Sequence, residues 1–330
     1  MANYFIKHLT KYSYDSPVID AANQLRLHPI NDDFQQVNSH YLVITNNAHV
    51  QTYTDYYKNM VGSFMITDAI TELYIESNIE VTTFPKILPE DTVDVETQWM
   101  ELTKIKYDDP FVDFLIHKPF VGSNELIQLI EEKGIKQKTV YQALQALCTY
   151  VYSQIKYTKG VTKVDSSIDE VWEIKAGVCQ DFTNIMLQAV RMCGIPARYV
   201  SGYICPNSDI TRGEGATHAW IEAYIPFYGW LGFDPTNNII ANDCHVRLAV
   251  GRDYNDCAPV KGVYKGNANA DLFVKVNVST AKNDEDITLP ETPMSSINNN
   301  SYKRHIERIQ QQQQQQQQDL QQQQQRQQQQ

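Results

Sequence analysis

One segment restricts the possible folds more than any other. Apolar residues fall at Phe182, Ile185, Met186, Ala189, Val190 and Cys193, the i, i+3, i+4, i+7 spacing of one buried helix face. Gly194 follows the last of them and Pro196 comes two residues later, the usual stop signals. The pattern predicts a helix of about fifteen residues, with Cys179 in its first turn. Two runs of strand texture come next: Thr217-His218-Ala219-Trp220-Ile221-Glu222-Ala223-Tyr224-Ile225, then Trp230-Leu231-Gly232-Phe233-Asp234-Pro235-Thr236. Pro226-Phe227-Tyr228-Gly229 joins them, which predicts a hairpin.

The residue types in this segment suit a nucleophile and its base. A thiol at a helix N-terminus feels the positive end of the macrodipole and the unpaired backbone N–H groups. Both favour thiolate, the nucleophilic form of cysteine. Gly177, just before it, allows close approach of other atoms, and Asp181 reads as a first-turn carboxylate complementing the dipole. The midpoint between His218 and Asp234 falls at Pro226, so a hairpin turning there sets the two opposite each other. A centre one residue later makes them diagonal neighbours. Opposed residues have Cβ atoms about 5 Å apart, within reach of an imidazole–carboxylate hydrogen bond. His218 is the candidate base for Cys179, and Asp234 the group that orients it. The Cys179 backbone N–H is a candidate oxyanion donor. The other histidines, His245 among them, lack a comparable context of cysteine and carboxylate.

The rest of the chain reads as scaffold. Short alternating runs at residues 4–12, 24–28, 41–44, 50–56, 62–66 and 73–82, separated by breaks such as Asp15-Ser16-Pro17 and Asn46-Asn47, predict an antiparallel sandwich or barrel, a β-sandwich-like domain over 1–83. A connecting region spans 84–138, with Pro85, Pro89, Pro110 and Pro119 and one helix over 124–133. The core spans 139–280, opening with a helix over 141–155 and ending in a long strand near Val278. From 281 to 330 the chain is rich in Asn and Gln, with only Asp319, Leu320 and Arg326 interrupting glutamine after Gln310. Such a tail cannot bury enough apolar surface to fold alone and is expected to be disordered or loosely helical.

Bulk composition narrows the partners. The formal net charge is −11 and no Lys/Arg run appears, which argues against nucleic acid and anionic membranes. Neither a signal-peptide core nor an apolar stretch of about 20 residues is present, so a cytoplasmic protein is expected. The six cysteines never form a C-x-x-C pair, which speaks against a disulfide framework or a structural zinc site.

These residues also carry a resemblance. Gly177-Val178-Cys179-Gln180-Asp181-Phe182, Gly194-Ile195-Pro196-Ala197-Arg198-Tyr199, His218-Ala219-Trp220 and Gly232-Phe233-Asp234-Pro235-Thr236-Asn237 resemble, in order and spacing, the transglutaminase-like superfamily. Ala249-Val250-Gly251-Arg252-Asp253-Tyr254 resembles the downstream block of its bacterial-type branch. Leu25-Arg26-Leu27-His28-Pro29 resembles the β-domain that precedes the core there. The resemblance implies an α+β fold with a papain-like core, its helix bearing Cys179 as nucleophile and packed on an antiparallel sheet that bears His218 as base and Asp234 as orienting acid. The reaction expected is acyl transfer on protein or peptide substrates through a thioester, with hydrolysis ahead of transamidation to an amine and of an inactive binding module. Animal transglutaminases use calcium, but no Asp-x-Asp-x-Asp-Gly loop occurs here, so no metal or cofactor is expected. The oligomeric state stays open.

Overall fold

Five strands open the chain: β1 (Ala2–Leu25), β2 (Gln35–Ile44), β3 (Gln51–Thr54), β4 (Met60–Ile66) and β5 (Ile70–Thr83), with alternation of buried and half-buried residues clearest in β5. The computed structural model describes residues 1–205, 212 and 217–282, together with the backbone of 295–297. The sequence expects a break at Asp15-Ser16-Pro17, yet β1 runs through it. Its pairing with β5 shifts register between Ser13 and Val18, and the three turn-type residues sit in that irregularity. A proline there costs no ladder hydrogen bond. Beyond the shift β1 changes partners and pairs with β4 from Ala21 to Leu25.

Helices α1 (Val95–Ile105), α2 (Ser123–Glu132) and α3 (Val140–Gln154) follow. The last two match the helices expected over 124–133 and 141–155 to within one residue. Helix α1 was not expected: it buries only Gln98 and Leu102, too thin a stripe to stand out. Its start is marked by Asp94, whose carboxylate accepts the Thr97 N–H at 2.9 Å, an N-cap.

The core continues with β6 (Lys156–Tyr157), α4 (Ile168–Ile174), β7 (Ala176–Gly177), α5 (Cys179–Met192), β8 (Ala197–Ile204), β9 (His218–Ile225), β10 (Gly229–Asp234), β11 (Ile239–Ala241), β12 (His245–Gly251) and α6 (Tyr254–Cys257). Ser167 and Glu170 form a reciprocal capping box that starts α4. The long helix α5 ends as its sequence predicts. Gly194 takes φ 84°, its N–H reaches the Arg191 carbonyl at 2.9 Å and the Ile195 N–H reaches that of Val190 at 3.3 Å, a Schellman stop. Phe182, Ile185, Met186, Ala189 and Val190 pack in one cluster with Leu147 and Val151 of α3 and with Ile221, Leu231 and Phe233 of the sheet. That sheet is antiparallel, in the order β11-β10-β9-β8-β12. The fold is α+β.

Three closing strands return to the beginning of the chain. β13 (Val260–Lys265) and β14 (Ala270–Ser279) pair with the two halves of β1, and β15 (Ser295–Ile297) pairs with β14. The segment near Val278, read from sequence as the end of the core, therefore extends the N-terminal sheet. The length of β1 explains this, since it offers a partner edge along both its halves. Tyr203, Val246 and Leu248 of the core sheet share a buried cluster with Ile6, Leu25, Leu73 and Ile75, so one apolar layer joins the two halves. Apart from 295–297, the expected tail from residue 283 onward lies outside the described residues. Among the described residues no helix is long and apolar enough to cross a membrane.

Candidate active site

Cys179 is the first residue of α5. The preceding turn is held by Asp181, whose Oδ2 accepts the Val178 N–H at 2.7 Å and the Thr162 hydroxyl at 2.7 Å. Burial raises the pKa of this carboxyl despite those bonds. A Cβ at Gly177 would overlap the Asp181 carboxylate, so the glycine makes room for the cap rather than for a substrate. The turn leaves the Cys179 thiol half-buried. Its sulfur lies 4.0 Å from the Thr217 carbonyl, next to the start of β9. Burial, first, and then Cys179 raise the pKa of Tyr157, Tyr199 and Tyr254.

His218 opens β9 and Asp234 ends β10. Their hairpin pairs Gly229 with Ile225 and Phe233 with Ile221. Continued one step, that register sets Asp234 across from Trp220 and makes His218 its diagonal neighbour, the alternative in which the turn is centred one residue later. The diagonal is short enough: His218 Nε2–H donates to Asp234 Oδ2 at 2.8 Å, with both side chains fully buried. Asp234 also accepts the Thr236 N–H at 2.9 Å, the Asn237 N–H at 3.3 Å and the Asn237 side-chain amide at 2.8 Å.

This saturation decides the charge state. Burial opposes ionisation of Asp234, but the charge and hydrogen bond of His218, with a second hydrogen bond from His245, outweigh it and hold the carboxyl below its ordinary range. Burial likewise disfavours the imidazolium of His218. The adjoining carboxylate, by charge and by hydrogen bond, and then Cys179 reverse this and raise its proton affinity. With Nε2 committed to Asp234, Nδ1 is buried without a conventional hydrogen bond among the described residues, and it is the ring nitrogen left to meet Cys179. The sequence thus names three residues that the fold brings into one chain of contacts.

His245, set aside in the sequence, belongs to the same chain. Its Nε2 lies 3.3 Å from Asp234 Oδ2 and its Nδ1 3.2 Å from the Cys244 sulfur. The signal that could have found it is indirect: the chain leaves β11, beside β10, and crosses to β12 at the far edge of the sheet, with His245 the first residue of that strand. The Trp220 ring packs against both imidazoles, 6.0 Å from that of His218 and 4.9 Å from that of His245, which are themselves 6.2 Å apart. Donor atoms of His218, Asp234 and His245 lie within 4.8 Å of one another, a metal-like composition. Both Nε2 atoms, however, already point at the same carboxylate oxygen, and a cation would have to break both hydrogen bonds to enter. The cluster is built as a hydrogen-bond relay.

Comparison with known proteins agrees with this architecture. Residues 128–235 match the family described as the transglutaminase-like superfamily, and residues 4–82 match the bacterial transglutaminase-like N-terminal region. An uncharacterised protein of Mycobacterium leprae is 34% identical over 278 residues, covering 83% of this chain and 97% of that protein. A protein-glutamine gamma-glutamyltransferase of Pseudomonas aeruginosa is 27% identical over 198 residues, 56% of this chain and 28% of that protein. The crystal structure of a proposed cysteine protease from Cytophaga hutchinsonii superposes with a TM-score of 0.66, covering 90% of this chain and 96% of the other at 23% identity, a likeness of fold. The chain belongs to the transglutaminase-like superfamily.

Proposed function

We propose that the protein is a cysteine hydrolase of peptide or amide bonds, with Cys179 as nucleophile, His218 as acid and base, and Asp234 as the orienting carboxylate. The observation that carries this reading is the fully buried His218–Asp234 pair beside a half-buried thiol at a helix start, whose sulfur lies 4.0 Å from the carbonyl of Thr217, the residue before His218. In the first step the Cys179 thiolate attacks the carbonyl carbon, and the oxyanion forms beside the Cys179 N–H, which has no intrahelical partner. His218 Nδ1 gives its proton to the leaving amine as the C–N bond breaks, and a thioester remains. Water then attacks the thioester and gives a proton to Nδ1. Collapse releases the acid and restores the thiolate–imidazolium pair. Asp234 keeps the ring in one orientation and stabilises its charge throughout.

Water is the favoured acceptor because Cys179 is partly exposed, so solvent reaches the thioester. The Pseudomonas relative's name supports a second reading, in which a primary amine resolves the same thioester. Peptide mass spectrometry of a glutamine-rich test protein, incubated with the enzyme and a labelled primary amine, separates the two. Cleaved bonds without amine adducts are expected; Cys179-dependent adducts on glutamine would replace hydrolysis by transamidation. Cys179→Ala should lower turnover by at least about four orders of magnitude with little change in Tm. Residual activity in that variant would remove Cys179 from the role.

A further inference from the structure

We infer that His245 is a positioning residue for this reaction, locked in one tautomer by Cys244 so that it donates to the carboxylate that orients His218. The inference rests on the catalytic reading above, but its geometry is independent of it. Asp234 Oδ2 receives three side-chain donors: His218 at 2.8 Å, Asn237 at 2.8 Å and His245 at 3.3 Å. A carboxylate is an acceptor only, so His245 must present Nε2–H to it. Nδ1 then carries a lone pair, and among the described residues the polar atom that meets it is the Cys244 sulfur at 3.2 Å. That sulfur must be a thiol for the chain to close. Burial, and next the Asp243 carboxylate, raise the Cys244 pKa, which keeps its proton available to donate. Burial lowers the pKa of His245 itself, so the ring is neutral and a single tautomer satisfies both ends.

The result is a pseudo-symmetric chain, Cys179–His218–Asp234–His245–Cys244, with one carboxylate between two Cys–His pairs. The two ends differ in solvation. Cys179 opens onto the helix start, whereas His245 is buried. The cavity beyond it, toward Gln35 and Arg247, holds about 20 Å³, room for one water and for no substrate. His245 therefore cannot touch a reacting group and acts only through Asp234. Outer partners of this kind typically carry a tenfold to hundredfold effect when removed. Trp220 packs against both imidazoles, stacked on that of His218 and edge-on to that of His245.

The tautomer is read directly on wild-type protein by ¹⁵N NMR of labelled histidine. The expected result at neutral pH is a protonated Nε2 and an unprotonated Nδ1 on His245; the opposite tautomer, or a doubly protonated ring, overturns the inference. This reading needs no activity, so it stands or falls apart from the proposed reaction. Function is read from the p-nitrophenolate burst with p-nitrophenyl acetate. His245→Leu should slow the burst at saturation about tenfold to hundredfold with the half-saturating concentration unchanged. His245→Gln, which restores an N–H donor, should return to within about threefold of wild type. Equal losses in both variants would make His245 a packing residue only, and a His245→Leu burst within twofold of wild type would remove its role. Should His245→Leu fail to fold, Cys244→Ala, which leaves the imidazole in place, is expected to slow the burst several-fold and to mix the tautomers; an unchanged tautomer there overturns the locking by Cys244.

Discussion

At the scale of single residues, burial and pairing set the chemistry. Asp234 keeps its charge inside the protein because five hydrogen bonds converge on it, and that charge makes His218 a strong proton holder. Asp234→Asn preserves shape but removes the charge, leaving only the burial that lowers imidazole basicity. The turnover rate should fall about a thousandfold to ten-thousandfold, and the alkaline limb of the pH–rate profile should move to lower pH; a limb that stays in place would contradict the pairing. The raised His218 value also bears on stability. Its contribution is complete below about pH 6.5 and fades as pH rises through the folded-state value. Cys179, His218 and Asp234 were legible in the sequence because helix and hairpin periodicity fix their neighbourhood. His245 was not, since its contact with Asp234 depends on a crossover between strands at opposite sides of a sheet, which no local pattern encodes.

At the scale of elements, α5 and the hairpin β9–β10 hold the site. Gly177→Ala would drive a methyl group into the Asp181 carboxylate, dislodging the cap that shapes the turn before Cys179. An activity loss of at least about tenfold is expected with a destabilisation of about 1–3 kcal/mol, read from kinetics and urea unfolding; full activity would show the turn to be pliable. On β9, Glu222 pairs with Arg198 at 2.6 Å and faces Arg247 at 3.7 Å. Burial alone would raise its pKa, but the charge of Arg198, then of Arg247, brings it down to about 2 from the ordinary 4.5. A lowered carboxyl stabilises above the unfolded-state value and loses that contribution as pH falls from about 4.5 toward 2. Glu222→Gln should cost about 3 kcal/mol near neutrality and flatten this acid dependence; an unaltered stability–pH curve would count against it. Strong elements such as α3 and α5 were readable from their apolar stripes. Helix α1 was hidden because it buries so little, and β1 because an irregularity inside a strand carries the same residues as a turn.

At the scale of the molecule, the two halves share an apolar layer and a chain crossing. β13 and β14 complete a sheet begun by β1, while Tyr203, Val246 and Leu248 of the core sheet pack into the same cluster. Polar contacts reinforce the joint: His8 Nδ1 meets the Tyr203 hydroxyl at 2.8 Å, and the Asn59 side chain exchanges two hydrogen bonds with the Val250 backbone at 2.8 Å. The protein should therefore unfold in a single calorimetric transition. Two separated transitions would show that the halves fold independently. The β-domain was legible as an architecture, but not its completion by the C-terminal strands, because pairing over more than two hundred positions leaves no mark in either segment alone.

The most direct measurement is peptide mapping by mass spectrometry of the acyl-enzyme formed with p-nitrophenyl acetate and quenched in acid. An acetyl group on Cys179, decaying in water and failing to form in His218→Ala, is the predicted result. Acetylation of another cysteine instead, or equal acetylation in His218→Ala, would contradict the account.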